Sequence, residues 1–443
     1  MIYVCEPQCK KGSHESFNSG FLHGLKAIDN EICFYAEKTH LQYIKSYLLL
    51  RGQNTEHIIY NKINFPDNIY NFMQIFSYYK IFSNILNQVS KDDKLLFLSI
   101  TPMALFVLYN LQKKQKYKNI IFNIVLHGEI EELYPKVSLE TLTVENQDEN
   151  IKNHTQKSIS LLQRISGKPI NYLIKRTIKG TWHFLYRSIN NIINNTMSNT
   201  VKSLDKLNKT IFTYKSFLSN NKDLSSFNFI VLSKHILNNL HIDNTTFKMK
   251  LCYLPCIFPS ITIKIINDYP KFAIFGYGTD NGLFEKFLEQ LNILNPSKKY
   301  EIRLISVRRY PDIDKYMNIT FNEKDFIPRH EYEKLAEDID YFLNFYDSSQ
   351  YKLSCSGSII EAIMHRKPVI YIGNECYDSF NSLAGPIGIR AGNAKNFAEI
   401  VFDIIENWPC DLRRINEFKK NIEDVTNIIN LTTQLKNDKS IIA

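Results

Sequence analysis

Residues 354–370, SCSGSIIEAIMHRKPVI, run from small residues into an apolar segment at helical spacing, then through a basic turn into a Pro-Val-Ile strand. Ser354, Cys355, Ser356, Gly357 and Ser358 read as a tight loop opening a helix over 358–365. The first turn of a helix carries free N–H groups and the positive end of the helix dipole, so it suits a phosphate. Glu361 lies one to two turns inside, where a carboxylate reaches the ribose or sugar hydroxyls of a phosphate-bearing ligand. Taken alone, the motif is equally a Ser-capped helix with a surface glutamate.

The surrounding sequence places this motif in a repeating pattern. Strand-like runs at 1–5, 31–35, 57–60, 94–99, 119–126, 229–233 and 250–254 alternate with helical stretches near 13–28, 43–50, 69–89 and 103–112. A second series has strands at 272–275, 301–307, 341–345 and 367–372, with helices near 283–291, 331–336, 358–365 and 394–408. This βαβ rhythm predicts two α/β, Rossmann-like doubly wound domains facing each other across a cleft, followed by a C-terminal helical segment. The expected division is an N-terminal domain over 1–258 carrying a basic helical insertion at about 152–220, then a linker at 259–270 flanked by Pro259 and Pro270. A C-terminal domain over 271–410 follows, with helices over 411–443 packing back toward the first domain.

With 443 residues the chain exceeds one ordinary core, and 44% hydrophobic residues suffice to fill two. No run of eighteen uncharged apolar residues occurs, and the N-terminal MIYVCEPQCKKG lacks the apolar centre of a signal peptide. Cys5/Cys9 and Cys252/Cys256 share a four-residue spacing, but no further His or Cys completes a zinc site. Reduced thiols in a cytoplasmic protein are expected, and no metal. Between Lys152 and Lys215 there are twelve Lys/Arg against the single acid Asp205, an excess of eleven that exceeds the +9 of the whole chain. Leu161, Ile165, Tyr172, Trp182 and Tyr186 interleave with those charges, a pattern that fits an anionic membrane surface. The alternative is one or two core-packed helices with a solvated basic face. No nucleic-acid motif accompanies the charge, so nucleic acid is not an expected partner.

Chemistry-bearing residues gather at strand ends, where open parallel sheets bind ligands. Gly12, Ser13, His14 and Glu15 follow the first strand, and His127, Gly128, Glu129, Glu131 and Glu132 follow IIFNIVL. Gly276, Tyr277, Gly278, Thr279 and Asp280 follow FAIF, Arg308 and Arg309 follow EIRLISV, and 354–361 follows YFLNF. Of these, Glu131 and Glu132 read as solvated loop charges and Asp280 as a helix cap.

The order FAIFGYGTDNG, EIRLISVRR, FIPRHEYEKLAEDIDYFLNFYDSSQYKLSCSG, SIIEAIMHRKPVIYIG resembles the C-terminal half of GT-B glycosyltransferases, near the retaining mannosyl- and glucosyltransferase-like group. The match covers roughly 270–405. The resemblance implies that Gly276, Gly278 and Thr279 approach a donor diphosphate, that Ser356, Gly357 and Ser358 bind phosphate or sugar, and that Glu361 binds the nucleotide ribose. Two departures stand out. The family often carries a first glutamate near the position held here by Leu353, and a basic pair after the first glycine loop that GYGTDNG lacks. Arg308 and Arg309 are expected to supply that charge, since guanidinium forks suit phosphate oxygens.

The expected activity is therefore transfer of a sugar from a UDP-, GDP- or CMP-linked donor to a glycan or lipid-linked acceptor. The setting would be bacterial surface polysaccharide, capsule or lipopolysaccharide synthesis, in the cytoplasm or peripherally at the inner face of the plasma membrane. Helix N-termini and arginines stabilise a leaving diphosphate without a metal. If configuration inverts, His127, Glu129, His14 or Glu15 deprotonates the acceptor; if it is retained, His127 holds the transferring sugar. A sugar-nucleotide epimerase on the same plan and a catalytically degenerate glycan-binding scaffold are the competing readings.

Overall fold

Every apolar run read as a strand in the N-terminal half becomes a strand of one sheet. The computed structural model describes residues 1–66, 74–134, 212–221, 223–240, 248–259, 267–275, 281–305, 316, 318–321 and 327–442. The first sheet contains β1 (Ile2–Cys5), β2 (Ile32–Ala36), β3 (Ile58–Lys62), β4 (Lys94–Phe97), β5 (Phe122–Leu126), β6 (Phe227–Val231) and β7 (Lys248–Leu251). Its order is β3-β2-β1-β4-β5-β6-β7, parallel throughout. Strands β1, β2, β5 and β6 are buried along their whole length, as expected for a sheet with helices on both faces.

The second sheet contains β8 (Lys271–Phe275), β9 (Glu301–Ile305), β10 (Ile319–Phe321), β11 (Tyr341–Asn344), β12 (Val369–Ile372) and β13 (Gly388–Ala391). It is also parallel, in the order β10-β9-β8-β11-β12-β13. Strand order reverses between β1 and β4 in the first sheet and between β8 and β11 in the second. Crevices beyond the carboxyl ends of strands at such reversals are where open α/β sheets take ligands. Both sheets belong to one compact unit, Met1–Tyr134 with Phe212–Ala443.

Helix Leu412–Ile429 packs on helices Gly357–Met364 and Glu375–Ala384 of the second lobe, and Leu431–Asn437 packs on the first lobe's helix Glu15–Leu25. Helix Glu15–Leu25 comes so near that a Cβ added at Gly24 would lie 2.6 Å from the Leu431 side chain, so only glycine fits. Gln434 accepts the Tyr253 N–H at 2.7 Å and donates to the Tyr253 carbonyl at 3.0 Å. Deeper in, Asn228 donates to Asn123 Oδ1 at 2.7 Å and to the Ile441 carbonyl at 2.9 Å.

Among the described residues no helix is long and apolar enough to cross a membrane, and all eight cysteines are free thiols. Almost all of the basic stretch 152–215, and the 260–266 part of the expected linker, lie outside the described residues.

Candidate active site

Helix Gly357–Met364 starts beside the strand-order reversal of the second sheet. Ser358 Oγ donates to the carbonyl of Phe275, the last residue of β8, at 3.2 Å and lies 3.3 Å from the Tyr346 hydroxyl. Ser356 stands at the N-cap position with extended backbone, but its side chain caps nothing. It is fully buried, its N–H donates to Cys376 Sγ at 3.5 Å, and its Oγ finds no partner among the described residues. Gly357 is exposed, and a Cβ there would meet nothing within 4 Å. The first turn is thus open on the Gly357 side and uncovered by a capping side chain.

Glu361 is not a surface carboxylate. Arg329, from helix Arg329–Glu337, forks onto it with Nη1–Oε1 at 2.8 Å and Nη2–Oε2 at 2.9 Å. Burial alone would push the Glu361 carboxyl up, but the Arg329 charge and His365 Nε2 at 3.7 Å pull it down to about 2. The ionic chain continues into the first sheet's helices. Arg329 Nε donates to Glu333 at 2.6 Å, and Arg51 donates to the same carboxylate at 3.1 and 2.5 Å. Both guanidinium groups lie over the Tyr47 ring, 5.0 Å away for Arg51 and 5.4 Å for Arg329. Glu15 faces this group. Burial raises its carboxyl to about 7, with Glu361 and Glu333 adding to the rise and Arg329 and Arg51 opposing it.

A second cluster forms at the ends of β1, β4 and β5. His14 and His127 stack with ring centroids 5.1 Å apart, and Phe17 meets His127 edge-on at 4.5 Å. His127 Nε2 lies 2.6 Å from the Leu98 carbonyl and so carries a proton. Burial, helped by the His14 charge, lowers His127 to about 4, so at neutral pH the ring is uncharged and Nδ1 is a bare acceptor. Beneath the pair lies Glu6, a fully buried carboxylate that reading the sequence did not single out.

The two strand-end regions face one another directly. Ser16 Oγ donates to Met364 Sδ at 3.4 Å, and a Cβ at Gly128 would lie 3.7 Å from Ser354 Cβ. Glu131, expected as a solvated charge, accepts from the Leu353 N–H at 3.0 Å and from Ser354 Oγ at 2.5 Å. Glu132 likewise accepts the Tyr214 N–H at 2.5 Å. Charges that looked free in the sequence are spent on backbone donors that would otherwise be unpaired. Glu131→Ala is expected to lower stability by about 1–2 kcal/mol in urea denaturation, because it strands two donors at the seam between the sheets.

The fold therefore brings His14, Glu15 and His127 from one sheet to the same seam as Gly357, Ser358 and Glu361 from the other. Gly276, Gly278, Thr279, Arg308, Arg309 and the side chain of Glu129 lie outside the described residues. Arg329, forked onto Glu361, and Arg51, paired with Glu333, are the cations that structure adds at this seam. Among the described residues no group of three or more His, Cys, Asp or Glu is placed to hold a metal ion.

No protein-family model and no curated protein matches the sequence. Solved structures do match over almost the whole chain. TarM aligns with TM-score 0.54 and 11% identity, over 99% of this chain and 98% of its own. A glycosyltransferase from Rickettsia africae aligns with TM-score 0.53 and 11% identity, over 99% and 98%. The lipopolysaccharide outer core galactosyltransferase WaaB aligns with TM-score 0.52 and 10% identity, over 99% of both chains. The chain has the GT-B fold. In GT-B terms, the first sheet's lobe presents the His14–His127 face and the second sheet's lobe presents the open helix turn at Gly357.

Proposed function

We propose that this protein is a glycosyltransferase using a nucleotide-linked sugar, with the nucleotide seated on the second lobe and the acceptor on the first. The observation that carries the reading is the uncapped, open first turn of helix Gly357–Met364, placed at the β8/β11 reversal and facing the His14–His127 lobe. A leaving diphosphate there would be stabilised by backbone amides and the helix dipole without a resident metal. Glu361 keeps lone pairs free after Arg329 has taken its bidentate share, enough to accept ribose hydroxyls. Neutral His127, with Nδ1 unprotonated, is able to take a proton from an acceptor hydroxyl or to hold the transferring sugar.

For the acceptor we propose a glycan or lipid-linked saccharide of bacterial surface polysaccharide, capsule or lipopolysaccharide synthesis. The likeness to a lipopolysaccharide galactosyltransferase and the basic stretch 152–215 support this. That stretch would hold the enzyme at the anionic inner face of the plasma membrane. Neutralising Lys175, Arg176 and Lys179 together is expected to weaken sedimentation with phosphatidylglycerol vesicles at least several-fold, since each basic residue near such a surface contributes about 1 kcal/mol. Unchanged sedimentation would refute membrane attachment.

The direct test is a thermal-shift screen of UDP-, GDP- and CMP-sugars. A ligand bound to the native state at about 100 times its Kd adds about 2.7 kcal/mol and raises the melting point by several degrees. If no nucleotide sugar shifts it, the reading fails. The presence of Glu6, Glu15, His14 and His127 together on the first lobe also favours a second reading, a sugar-nucleotide epimerase. Release of free nucleotide that requires an added acceptor separates transfer from epimerisation.

A further inference from the structure

We infer that Glu6 is a positioning residue for the His14–His127 pair, holding both rings from beneath the end of β1; its importance for turnover rests on the first lobe's strand ends being the acceptor side. Glu6 follows β1 directly and Ser99 follows β4 by two residues, so the pair straddles the reversal of strand order. The carboxylate is fully buried and accepts four hydrogen bonds: the Gln8 N–H at 2.9 Å, the Cys9 N–H at 3.1 Å, Asn18 Nδ2 at 3.2 Å and the Ser99 hydroxyl. A buried charge survives only where hydrogen-bond donors surround it, and this carboxylate has four. Burial opposes ionisation, but the Ser99 and Gln8 bonds and the nearby His14 and His40 outweigh it, and the carboxyl is held below its usual range.

Two routes connect this carboxylate to the histidines. One is the backbone of the 6–14 loop. Lys11 (φ 50°) and His14 (φ 53°) both sit in the left-handed region, which residues other than glycine keep only where their surroundings hold them. Glu6 pins the start of the loop, and Asn18 carries its hold across to His40. Asn18 Nδ2 donates to His40 Nε2 at 2.8 Å, so His40 Nδ1 bears the proton it gives to the Lys11 carbonyl at 2.8 Å. The second route is the Leu98–Ser99 dipeptide: Ser99 donates to Glu6 while the Leu98 carbonyl accepts from His127 Nε2. A strained histidine at a strand end, locked through a buried carboxylate, is an arrangement expected of a working group and not of a surface turn.

The titratable groups around the pair are Glu6 and Cys9 on the β1 loop, Glu15 on the histidine's own helix, and His40 on helix Lys38–Leu50. The Glu6 charge favours the protonated form of His127, so removing it makes that form harder to form. The test follows the histidine side chains of the full-length protein by NMR with selectively labelled histidine, wild type against Glu6→Gln. The expected result is a His127 ring that is harder to protonate, its midpoint moved further down, with weakened ring contact between His14 and His127. A folded Glu6→Gln protein with both features unchanged would overturn the proposal. If that variant does not fold, Ser99→Ala keeps the carboxylate and removes one donor. The ring contact between His14 and His127 should then loosen, because the Leu98–Ser99 link to Glu6 is cut, and an unmoved contact would count equally against Glu6. Neither measurement uses a substrate, so a wrong transferase assignment would not produce or hide these shifts.

Discussion

Replacing Arg329 by Ala is expected to destabilise the protein by about 3 kcal/mol at neutral pH, more than any other single exposed-looking cation. The substitution leaves Glu361 partly buried with only His365 beside it, and breaking a buried pair from one side leaves an uncompensated charge. Linkage gives the same size. A fall of the Glu361 carboxyl from 4.5 to about 2 corresponds to about 3 kcal/mol of stability. Because the folded-state value is depressed, that contribution is complete above the unfolded value near 4.5 and disappears as pH drops toward 2. Urea midpoints of wild type and Arg329→Ala should therefore differ widely at pH 7 and converge in acid. Equal midpoints at neutral pH would mean that the pair contributes nothing.

The second large effect concerns turnover. Glu361→Gln keeps the shape of the side chain but replaces a carboxylate oxygen with an amide donor. If Glu361 accepts hydroxyls of the donor ribose, kcat/KM should fall at least about 100-fold, since a charge-assisted pair of hydrogen bonds is worth about 3 kcal/mol. Calorimetric binding of the donor should weaken in parallel, while circular dichroism at 25 °C stays native. Full activity in a folded Glu361→Gln protein would remove this residue from the site. Arg329→Lys is the companion measurement. Lysine keeps the charge but loses the fork, so stability should recover partly while Glu361 is left less firmly oriented.

How much of this was readable beforehand depended on where each signal sat along the chain. The GT-B architecture and the helix over 358–365 were legible because parallel strands buried on both faces write themselves as continuous apolar runs, as in IYVC, FNIVL and VIYI. Strands β10 and β13 were not. Ile319–Phe321 is three residues long, and Gly388–Ala391 contains a glycine and an arginine; both are edge strands, where apolar continuity is not required. Helix Glu375–Ala384, ECYDSFNSLA, was hidden by a polar face.

The site divides along the same line. His14 and Glu361 stood out because they follow glycine or small-residue turns, and His127 because it comes straight after an apolar strand and before Gly128. Glu6 did not, since a glutamate before a proline reads as a turn, and its burial comes from Asn18 and Ser99 far along the chain. Arg329 sits at the first position of RHEYEKLAE, a helix whose composition reads as solvent-facing. Its partner lies 32 residues away and belongs to a different helix. Ion pairs across separate elements leave no periodic trace, which is why the Arg329 partner of Glu361 was not legible.

The docking of the last two helices has a bearing on synthesis. Asn228 sits inside the first lobe, yet one of its acceptors is the carbonyl of Ile441, and Leu431 fills the hollow that Gly24 leaves. The first lobe is completed only by helices that follow the whole second sheet along the chain. During translation the first lobe must wait for these helices with an apolar groove and a buried amide unmatched, so this architecture trades sequential, lobe-by-lobe maturation for a later step that seals both lobes at once.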